Sequence, residues 1–242
     1  MPVYLGTRRS LVGSSGLTSP LALPGLELWL DFSDISTLFQ DTGATTPITA
    51  DGQIIKRAND KSGQGRNATE ATNGPTYKTG IKNGRSIGRG DGTNDVLATA
   101  SFSIAQPLTL FGVVITTSIA TTLVWMSQIG ATSALQAYVI NNPFRQIAAG
   151  LGLNGGAATT NWEVWSAALN GASSLIRING SQTGSGNAGA NAFNSGVNIF
   201  ANTGPANFWP GDIGELGLYS RLLSTPEFQQ IEAYLNAKWA VY

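Results

Sequence analysis

The fold is decided by residues 211–242, which read GDIGELGLYSRLLSTPEFQQIEAYLNAKWAVY. The first part carries the large apolar and aromatic side chains that are typical of a buried strand. Ser224 and Glu227 then form the S-x-x-E pattern of a helix capping box, and Pro226 lies in the first turn, where its missing N–H removes no hydrogen bond. The segment therefore predicts a strand that leads directly into a capped helix.

Apolar side chains recur along this helix at the spacing of a single face. They are Phe228, Ile231, Leu235 and Trp239. Polar residues fill most of the positions between them, so the helix has only one face to bury. We expect an amphipathic helix over residues 224–240 that packs on a larger body formed by the preceding sequence.

Three upstream segments indicate what that body is. They read LELWLD (26–31), DKSGQGRNA (60–68) and GDGTNDVL (90–97). This succession of a W-x-D strand, a D-x-S-G-x-G-x-x-A turn and a D-G-x-x-D turn resembles the laminin-G-like, concanavalin A-like lectin-glucanase domains, of the kind found in bacteriophage structural proteins. The resemblance spans roughly residues 26–240. It implies an all-β fold, an antiparallel jelly-roll β-sandwich with the C-terminal helix packed on it.

Composition agrees with one all-β domain. The 242 residues include 30 Gly and 10 Pro, and only 12% are charged. A chain of this length buries a sizeable core without disulfides, and the absence of cysteine excludes both disulfides and thiolate metal sites. We divide the chain into an extended N-terminal arm, residues 1–25, and a sandwich domain, residues 26–242, that includes the helix.

The charges balance at 14 basic and 14 acidic residues, so the net charge is zero. No basic face is therefore available to neutralise nucleic-acid phosphates. No segment approaches the ~20 apolar residues of a membrane span, and the sequence after Arg8 and Arg9 is too polar for a signal-peptide core. We expect no nucleic-acid partner, no membrane span and synthesis in a host cytoplasm. Zero net charge also favours an assembled state, a homo-oligomer, because copies do not repel one another.

Most catalytic arrangements are excluded by the absence of both His and Cys. Carboxylate chemistry remains, and glycanases that share the resembled fold place acidic residues two apart on one strand. No two acidic residues here are two positions apart; the candidate sets are Glu27 with Asp31, and Asp212 with Glu215. We therefore predict no enzyme activity, with convergence of carboxylates from different strands as the alternative.

A carbohydrate site would combine an exposed aromatic ring with polar side chains that bind hydroxyl groups. Trp209 lies in the loop ANFWPGD beside Asn207, and Asn141 and Arg145 lie in a second polar loop. These four residues form the predicted sugar contacts. The alternative is that Trp209 and its neighbour Phe208 cap one end of the sandwich, and that the second loop only joins two strands.

Calcium requires six to eight oxygen ligands, which a cluster of Asp and Asn residues on tight turns could supply. The candidate residues are Asp91, Asn94, Asp95 and Asp60. The alternative is that these side chains form Asx-turns by accepting hydrogen bonds from nearby backbone N–H groups. No cofactor is required by the sequence, and structural calcium is the one ligand it suggests.

The N-terminal residues 1–25 show no hydrophobic period and contain several Gly and Pro residues. We predict that this arm docks on neighbouring virion subunits and orders on binding, the alternative being an unattached leader. Its candidate contacts are Arg8, Arg9, Leu11 and Leu17.

The favoured function is that of a non-enzymatic virion structural protein, such as a capsid decoration, head fibre or tail-fibre adhesion module. In this hypothesis the arm anchors the protein and the displayed sandwich contacts surface glycans weakly. The alternatives are a free lectin-like carbohydrate-binding protein and, ranked below it, a glycan-active hydrolase.

Overall fold

A computed structural model describes residues 16–130, 136–140, 144–202 and 207–242. The described residues form seventeen β-strands, three short 3-10 helices and one α-helix. In chain order the strands are β1 (Leu26–Asp31), β2 (Leu38–Phe39), β3 (Arg57–Ala58), β4 (Ala68–Thr69), β5 (Thr76–Lys82), β6 (Arg85–Asp91), β7 (Leu97–Thr99), β8 (Leu108–Thr116), β9 (Leu123–Gln128), β10 (Gln136–Ile140), β11 (Phe144–Ala148), β12 (Gly152–Ala157), β13 (Glu163–Leu169), β14 (Ser174–Ile178), β15 (Ser181–Gly186), β16 (Val197–Ile199) and β17 (Pro210–Tyr219). The helices are α1 (Thr225–Trp239) and the 3-10 helices Pro20–Ala22, Ile35–Thr37 and Gly171–Ser173.

The strands build two antiparallel sheets. The first sheet has the order β15, β14, β13, β8, β17, β6, β5, and β1 also pairs with β17. The second has the order β12, β11, β10, β9, β16, β7, β4, β3, β2. Neighbours such as β8 and β17 lie far apart in sequence, as expected of a jelly-roll-like sandwich. The predicted all-β sandwich with one C-terminal helix is confirmed.

Apolar side chains form two layers. One layer joins the sheets, where Trp125 of β9 and Trp165 of β13 meet edge to face with ring centroids 5.8 Å apart. The second layer joins the first sheet to α1, whose apolar face packs on residues such as Phe111 and Tyr219. The central strands of the first sheet are therefore buried on both faces, which accounts for the nearly continuous apolar run of β8.

The helix α1 begins and ends as the sequence predicts. Ser224 is its N-cap, and the Ser224 backbone N–H donates to the Glu227 carboxylate at 2.8 Å, which completes the capping box. Gly214 lets the helix approach the sheet, because a Cβ at this position would lie 2.6 Å from the ring of Trp239. No α-helix within the described ranges combines the length and the apolar character needed to cross a membrane.

A buried polar cluster fixes α1 to the first sheet. Glu215 of β17 is fully buried and accepts four hydrogen bonds. The donors are Trp29 Nε1 (2.7 Å), Lys238 Nζ (2.7 Å), Tyr234 Oη (2.9 Å) and Trp239 Nε1 (3.1 Å). The Lys238 ammonium also lies 2.7 Å from Asp31, which is the strand partner of Glu215. The W-x-D strand, the closing strand and the helix therefore meet at one cluster, named here the Glu215 cluster.

Residues 16–25, the part of the predicted arm that the structure describes, pack on the domain. Leu23 is 8% exposed, and the Tyr219 hydroxyl donates to the Pro20 carbonyl at 2.9 Å. Leu17, a candidate contact of the arm, is partly buried and packs against the layer beneath α1. Leu17, Pro20 and Leu23 therefore pack on the domain. Three further arm residues lie outside the described ranges: Arg8, Arg9 and Leu11.

Candidate functional site

Trp209 is a core residue, which corrects the expectation that it contacts a sugar. Its side chain is 1% exposed, and its indole N–H donates to the Ile115 carbonyl at 3.1 Å. Its backbone N–H donates to the Phe200 carbonyl at 2.8 Å. A stacking platform needs an exposed ring face, and the ring of Trp209 is covered on all sides. The alternative, that Trp209 caps one end of the core, fits the structure.

Arg145 is also engaged within the protein. Its guanidinium forms a two-pronged ion pair with Glu163, with one N–O distance of 2.8 Å, and its side chain is only 11% exposed. Glu163 is buried as well, and it accepts hydrogen bonds from Trp165 Nε1 at 2.9 Å and the Thr159 hydroxyl at 2.7 Å. Freeing Arg145 for a ligand would leave that carboxylate buried without its cation. Arg145 therefore stabilises the sandwich, and its expected role as a sugar contact is wrong.

The other two predicted sugar contacts are Asn207 and Asn141. Asn207 has a positive φ of 61°, and its carbonyl accepts the Val124 N–H at 3.0 Å, so it shapes the turn before β17. Its side chain is half-buried. Asn141 lies outside the described residues.

Asp60 and Asp91, two of the calcium candidates, hold turns, as the Asx-turn alternative has it. Each carboxylate oxygen of Asp60 accepts two hydrogen bonds within 3.0 Å. One oxygen of Asp91 accepts the backbone N–H groups of Thr93 and Asn94 at 2.7 and 3.1 Å. In the part of the chain that the structure describes, no three His, Cys, Asp or Glu residues group as metal ligands.

Asp95 closes the same turn as Asp91 from the inside. It is 8% exposed and accepts the Asp91 backbone N–H at 2.9 Å. Burial raises the pKa of Asp95 to about 6, since removal from water disfavours the charged form and the nearby Asp91 charge adds to this. The hydrogen bond from the Asp91 N–H acts in the opposite direction.

Two carboxylates from different strands do converge, as the enzyme alternative requires. Asp31 and Glu215 face each other across β1 and β17, and both bind Lys238. The exposed fractions are 5% for Asp31 and zero for Glu215, and α1 covers the pair. The Lys238 ammonium fills the space between the carboxylates, so this arrangement serves to attach the helix.

A depression of about 370 Å³ opens on the outer face of the second sheet. Amide side chains dominate its wall, and one aromatic ring stands at its edge. It is lined by Glu70, Asn73, Asn94, Val96, Ala98, Asn198, Ala201, Asn202 and Phe208. We call this surface the asparagine depression.

Strand alternation places the floor of the asparagine depression. In β16, Asn198 is partly exposed between the buried Val197 and Ile199, and its partner on β7 is Ala98. Because side chains alternate between the two faces of a strand, Asn198 and Ala98 share the outer face. The small side chain of Ala98 leaves room beside the amide of Asn198.

The wall of the depression comes from two turns. The GDGTND turn carries Asn94, and the Val96 N–H that follows it donates to the Asn73 carbonyl at 2.9 Å. Glu70 lies in the segment before Asn73, and its carboxylate accepts the Thr72 N–H at 2.8 Å. The GDGTND turn therefore brings Asn94 and Asn73 to the same surface.

Three amide side chains of the depression form no hydrogen bond with the rest of the described chain. Among the described residues, no hydrogen bond engages the side-chain amides of Asn73, Asn94 or Asn198. The side-chain Oδ1 of Asn202 accepts a hydrogen bond from Gln136 Nε2 at 2.8 Å, which orients its amide. The amides of Asn73, Asn94 and Asn198 each offer N–H donors and a carbonyl acceptor, and the half-buried ring of Phe208 adds an apolar surface.

Sequence reasoning found part of this site for other reasons. Asn94 was a calcium candidate and Phe208 a core candidate, whereas Asn73, Asn198 and Asn202 were missed. The signal for Asn198 was present in the sequence, because VNI at 197–199 places one polar residue between two apolar ones. Its pairing with β7 could not be read from that triplet.

No protein-family profile and no curated protein sequence matches this chain. Solved structures do share its fold. Trypanosoma rangeli sialidase in complex with 2,3-difluorosialic acid aligns over 89% of this chain and 33% of its own, with 14% identity and a TM-score of 0.58. The same sialidase in complex with 2,3-difluoro-KDN aligns over 98% of this chain and 36% of its own, with 16% identity and a TM-score of 0.59.

The binding domain of Paraclostridial Mosquitocidal Protein 1 is a third structure of this fold. It aligns over 88% of this chain and 53% of its own, with 13% identity and a TM-score of 0.58. This chain therefore spans about a third of the sialidase and about half of the mosquitocidal domain. At these identities the similarity shows the β-sandwich fold alone.

Proposed function

We propose that this protein is a carbohydrate-binding β-sandwich domain that binds glycans in the asparagine depression without catalysis. The observation that carries the proposal is the grouping of three unengaged asparagine amides with one accessible aromatic ring. Ligand sites in proteins combine an apolar surface with a few placed polar groups, and this depression has that composition.

Sugars suit this surface for a physical reason. Each hydroxyl group both donates and accepts a hydrogen bond, and the amides of Asn73, Asn94 and Asn198 do the same. The C–H face of a pyranose ring is apolar and packs on an aromatic ring such as Phe208. A buried hydroxyl that finds no partner is penalised, so the positions of the amides select the arrangement of hydroxyls.

The structural matches support the proposal at the level of fold. One matched protein is a sialidase described in complex with sialic acid derivatives, and another is described as a binding domain. A sandwich fold accommodates many functions, so the site and not the fold carries the argument.

We propose further that the domain is displayed in many copies on a virion and anchored through the residues before Gly16. The resemblance to domains of bacteriophage structural proteins and the zero net charge support this. Display in many copies would raise avidity by ~10²–10⁴, so weak single sites would suffice.

Light scattering tests the anchoring role by comparing the mass in solution of the full chain with that of a chain that starts at Gly16. Gly16 is the appropriate start because residues 16–25 pack on the domain. The full chain should assemble and the shorter chain should remain folded and monomeric. The same number of chains per particle for both proteins would refute the anchoring role.

Glycan binding is tested on an array with Phe208→Ala and a matched control. Phe144 of β11 is 38% exposed and lies outside the depression, so Phe144→Ala removes a comparable ring elsewhere. The expected result is loss of array binding in Phe208→Ala alone, with both variants folded by circular dichroism. Equal binding by the two variants would overturn the assignment of the site.

A further inference from the structure

The charges around the asparagine depression restrict which glycans it can take. Glu70 is the only charged side chain in its lining among the described residues. The turn that carries Asn94 adds the carboxylates of Asp91 and Asp95 directly beside it. The depression therefore has one carboxylate in its lining and two more on the turn that carries Asn94.

Cations do not balance this charge from within. Neither Lys nor Arg lines the depression in the described part of the chain. Several cations of the sandwich are instead paired with buried carboxylates, as in Arg145 with Glu163, Arg177 with Glu232, and Lys238 with Glu215. Lys56 is the backbone neighbour of Glu70, its carbonyl accepting the Glu70 N–H at 2.9 Å, but it is absent from the lining.

Glu70 itself is held in position. One of its carboxylate oxygens accepts the Thr72 N–H at 2.8 Å, and the Asn73 N–H lies at 3.4 Å from the same oxygen. The two donors orient the carboxylate, and its second oxygen can accept a hydrogen bond from a sugar hydroxyl. A carboxylate on the ligand would meet that oxygen as a like charge.

We infer that the asparagine depression selects neutral glycans and rejects those that carry sialic acid or uronic acid. This inference rests on the proposed function and adds the ligand class. Two like charges a few ångströms apart at a protein surface repel enough to weaken binding about 10-fold. The neutral member of each glycan pair should therefore bind at least about 10-fold more tightly than its sialylated or uronate counterpart.

The test is a glycan array of matched pairs, each pair consisting of a neutral glycan and the same glycan with a terminal sialic acid or uronic acid. Hits are followed by calorimetric titration with wild type, Asn198→Ala and Glu70→Gln. Asn198→Ala should weaken binding of the neutral hit, which locates binding in the depression. Glu70→Gln keeps the shape of the side chain and removes its charge. It should therefore reduce the difference in affinity between the neutral and the charged glycan of each pair.

Salt gives an independent readout of the same charge effect. Raising the ionic strength from about 0.01 M to about 1 M shortens the Debye length from ~30 to ~3 Å. The difference in affinity between the neutral and the charged glycan of a pair should therefore become smaller in wild type. It should change less in Glu70→Gln. Equal affinity for both members of a pair, with both sensitive to Asn198→Ala, would overturn the inference and leave the proposed function standing. No binding to any glycan, or binding indifferent to Asn198→Ala, would instead overturn the proposed function.

Discussion

Replacing Lys238 by Met should destabilise the domain strongly, because it removes the cation of the Glu215 cluster. The Lys238 ammonium lies 2.7 Å from both Asp31 and Glu215, and its side chain is 12% exposed. Methionine keeps the apolar stem and loses the charge. Asp31 keeps one cation, Lys61 at 3.1 Å, whereas Glu215 keeps only neutral donors.

The magnitude follows from burial. Breaking a buried ion pair by removing one partner costs about 3–5 kcal/mol, against a total stability of about 5–15 kcal/mol for a domain. At about 2–4 °C per kcal/mol for a chain of this size, the melting temperature should fall by about 6–20 °C. Lys82 forms no ion pair among the described residues, so the control Lys82→Met should stay within about 0.5 kcal/mol of wild type.

The loss of stability in Lys238→Met should also depend on pH, and the pKa shifts in the Glu215 cluster determine its direction. Burial raises the pKa of Glu215, the Asp31 charge raises it further, and Lys238 opposes both. Burial also acts to raise the pKa of Asp31, but Lys238, together with Ser33 and Lys61, outweighs it and holds that pKa below its usual value. Without Lys238 both values rise, so the variant binds protons more tightly when folded and recovers stability as the pH falls.

Urea denaturation of wild type, Lys238→Met and Lys82→Met at neutral pH and at about pH 5 measures these free energies. The reasoning predicts a large loss in Lys238→Met at neutral pH and a smaller one in acid. A loss below about 1 kcal/mol at neutral pH, or an equal loss at both pH values, would refute it.

Three further predictions test other parts of the structure. Trp209→Ala should lower the free energy of unfolding by about 3–5 kcal/mol in urea denaturation, since the ring is buried; a loss below about 1 kcal/mol would mean that the ring is exposed. Asp95→Asn should be more stable than wild type by about 1–3 kcal/mol at pH 7.5 and about equal to it at pH 4, because the folded pKa of about 6 exceeds the usual 3.8 and the stability that this carboxyl contributes is lost as pH rises through 6. A constant difference across that pH range in thermal melts would contradict this account. Removing residues 1–15 should leave the melting temperature unchanged, whereas removing 1–24 should lower it, because Leu23 and Pro20 are buried; equal melting temperatures would argue against that packing.

The local parts of the fold could be predicted from sequence. Residues 211–242 contain the capping box and a regular apolar spacing, and both act over a few residues, so the strand and helix α1 followed directly. The W-x-D and DKSG segments indicated the sandwich. Their side chains fix β1 in place, since Asp60 accepts the Trp29 backbone N–H and the Trp29 indole donates to Glu215.

The pairing of charges could not be predicted. Lys238 binds Asp31 across 207 positions of the chain, and no local pattern states which carboxylate meets which cation. The polar loop around Arg145 predicts a surface contact, yet the ion pair with Glu163, 18 positions away, holds the side chain in the sandwich. Trp209 was similarly misplaced, because its burial depends on the approach of the Ile115 and Phe200 backbones.

The asparagine depression depends on the same kind of long-range arrangement. Asn73, Asn94 and Asn198 lie on three separate segments, and the Val96–Asn73 backbone hydrogen bond and the pairing of β16 with β7 bring them to one surface. Each asparagine alone is an ordinary turn or strand residue. The site therefore becomes visible only after the sheet order is known.

Isothermal titration of the best array glycan against wild type, Asn198→Ala and Asn161→Ala tests the central claim most directly. Asn161 is exposed and lies outside the depression, so it serves as the matched control. Loss of one or two hydrogen bonds should weaken binding of Asn198→Ala by about 3- to 10-fold, with unchanged binding in Asn161→Ala. Equal affinities for all three proteins would contradict the claim that glycans bind in the asparagine depression.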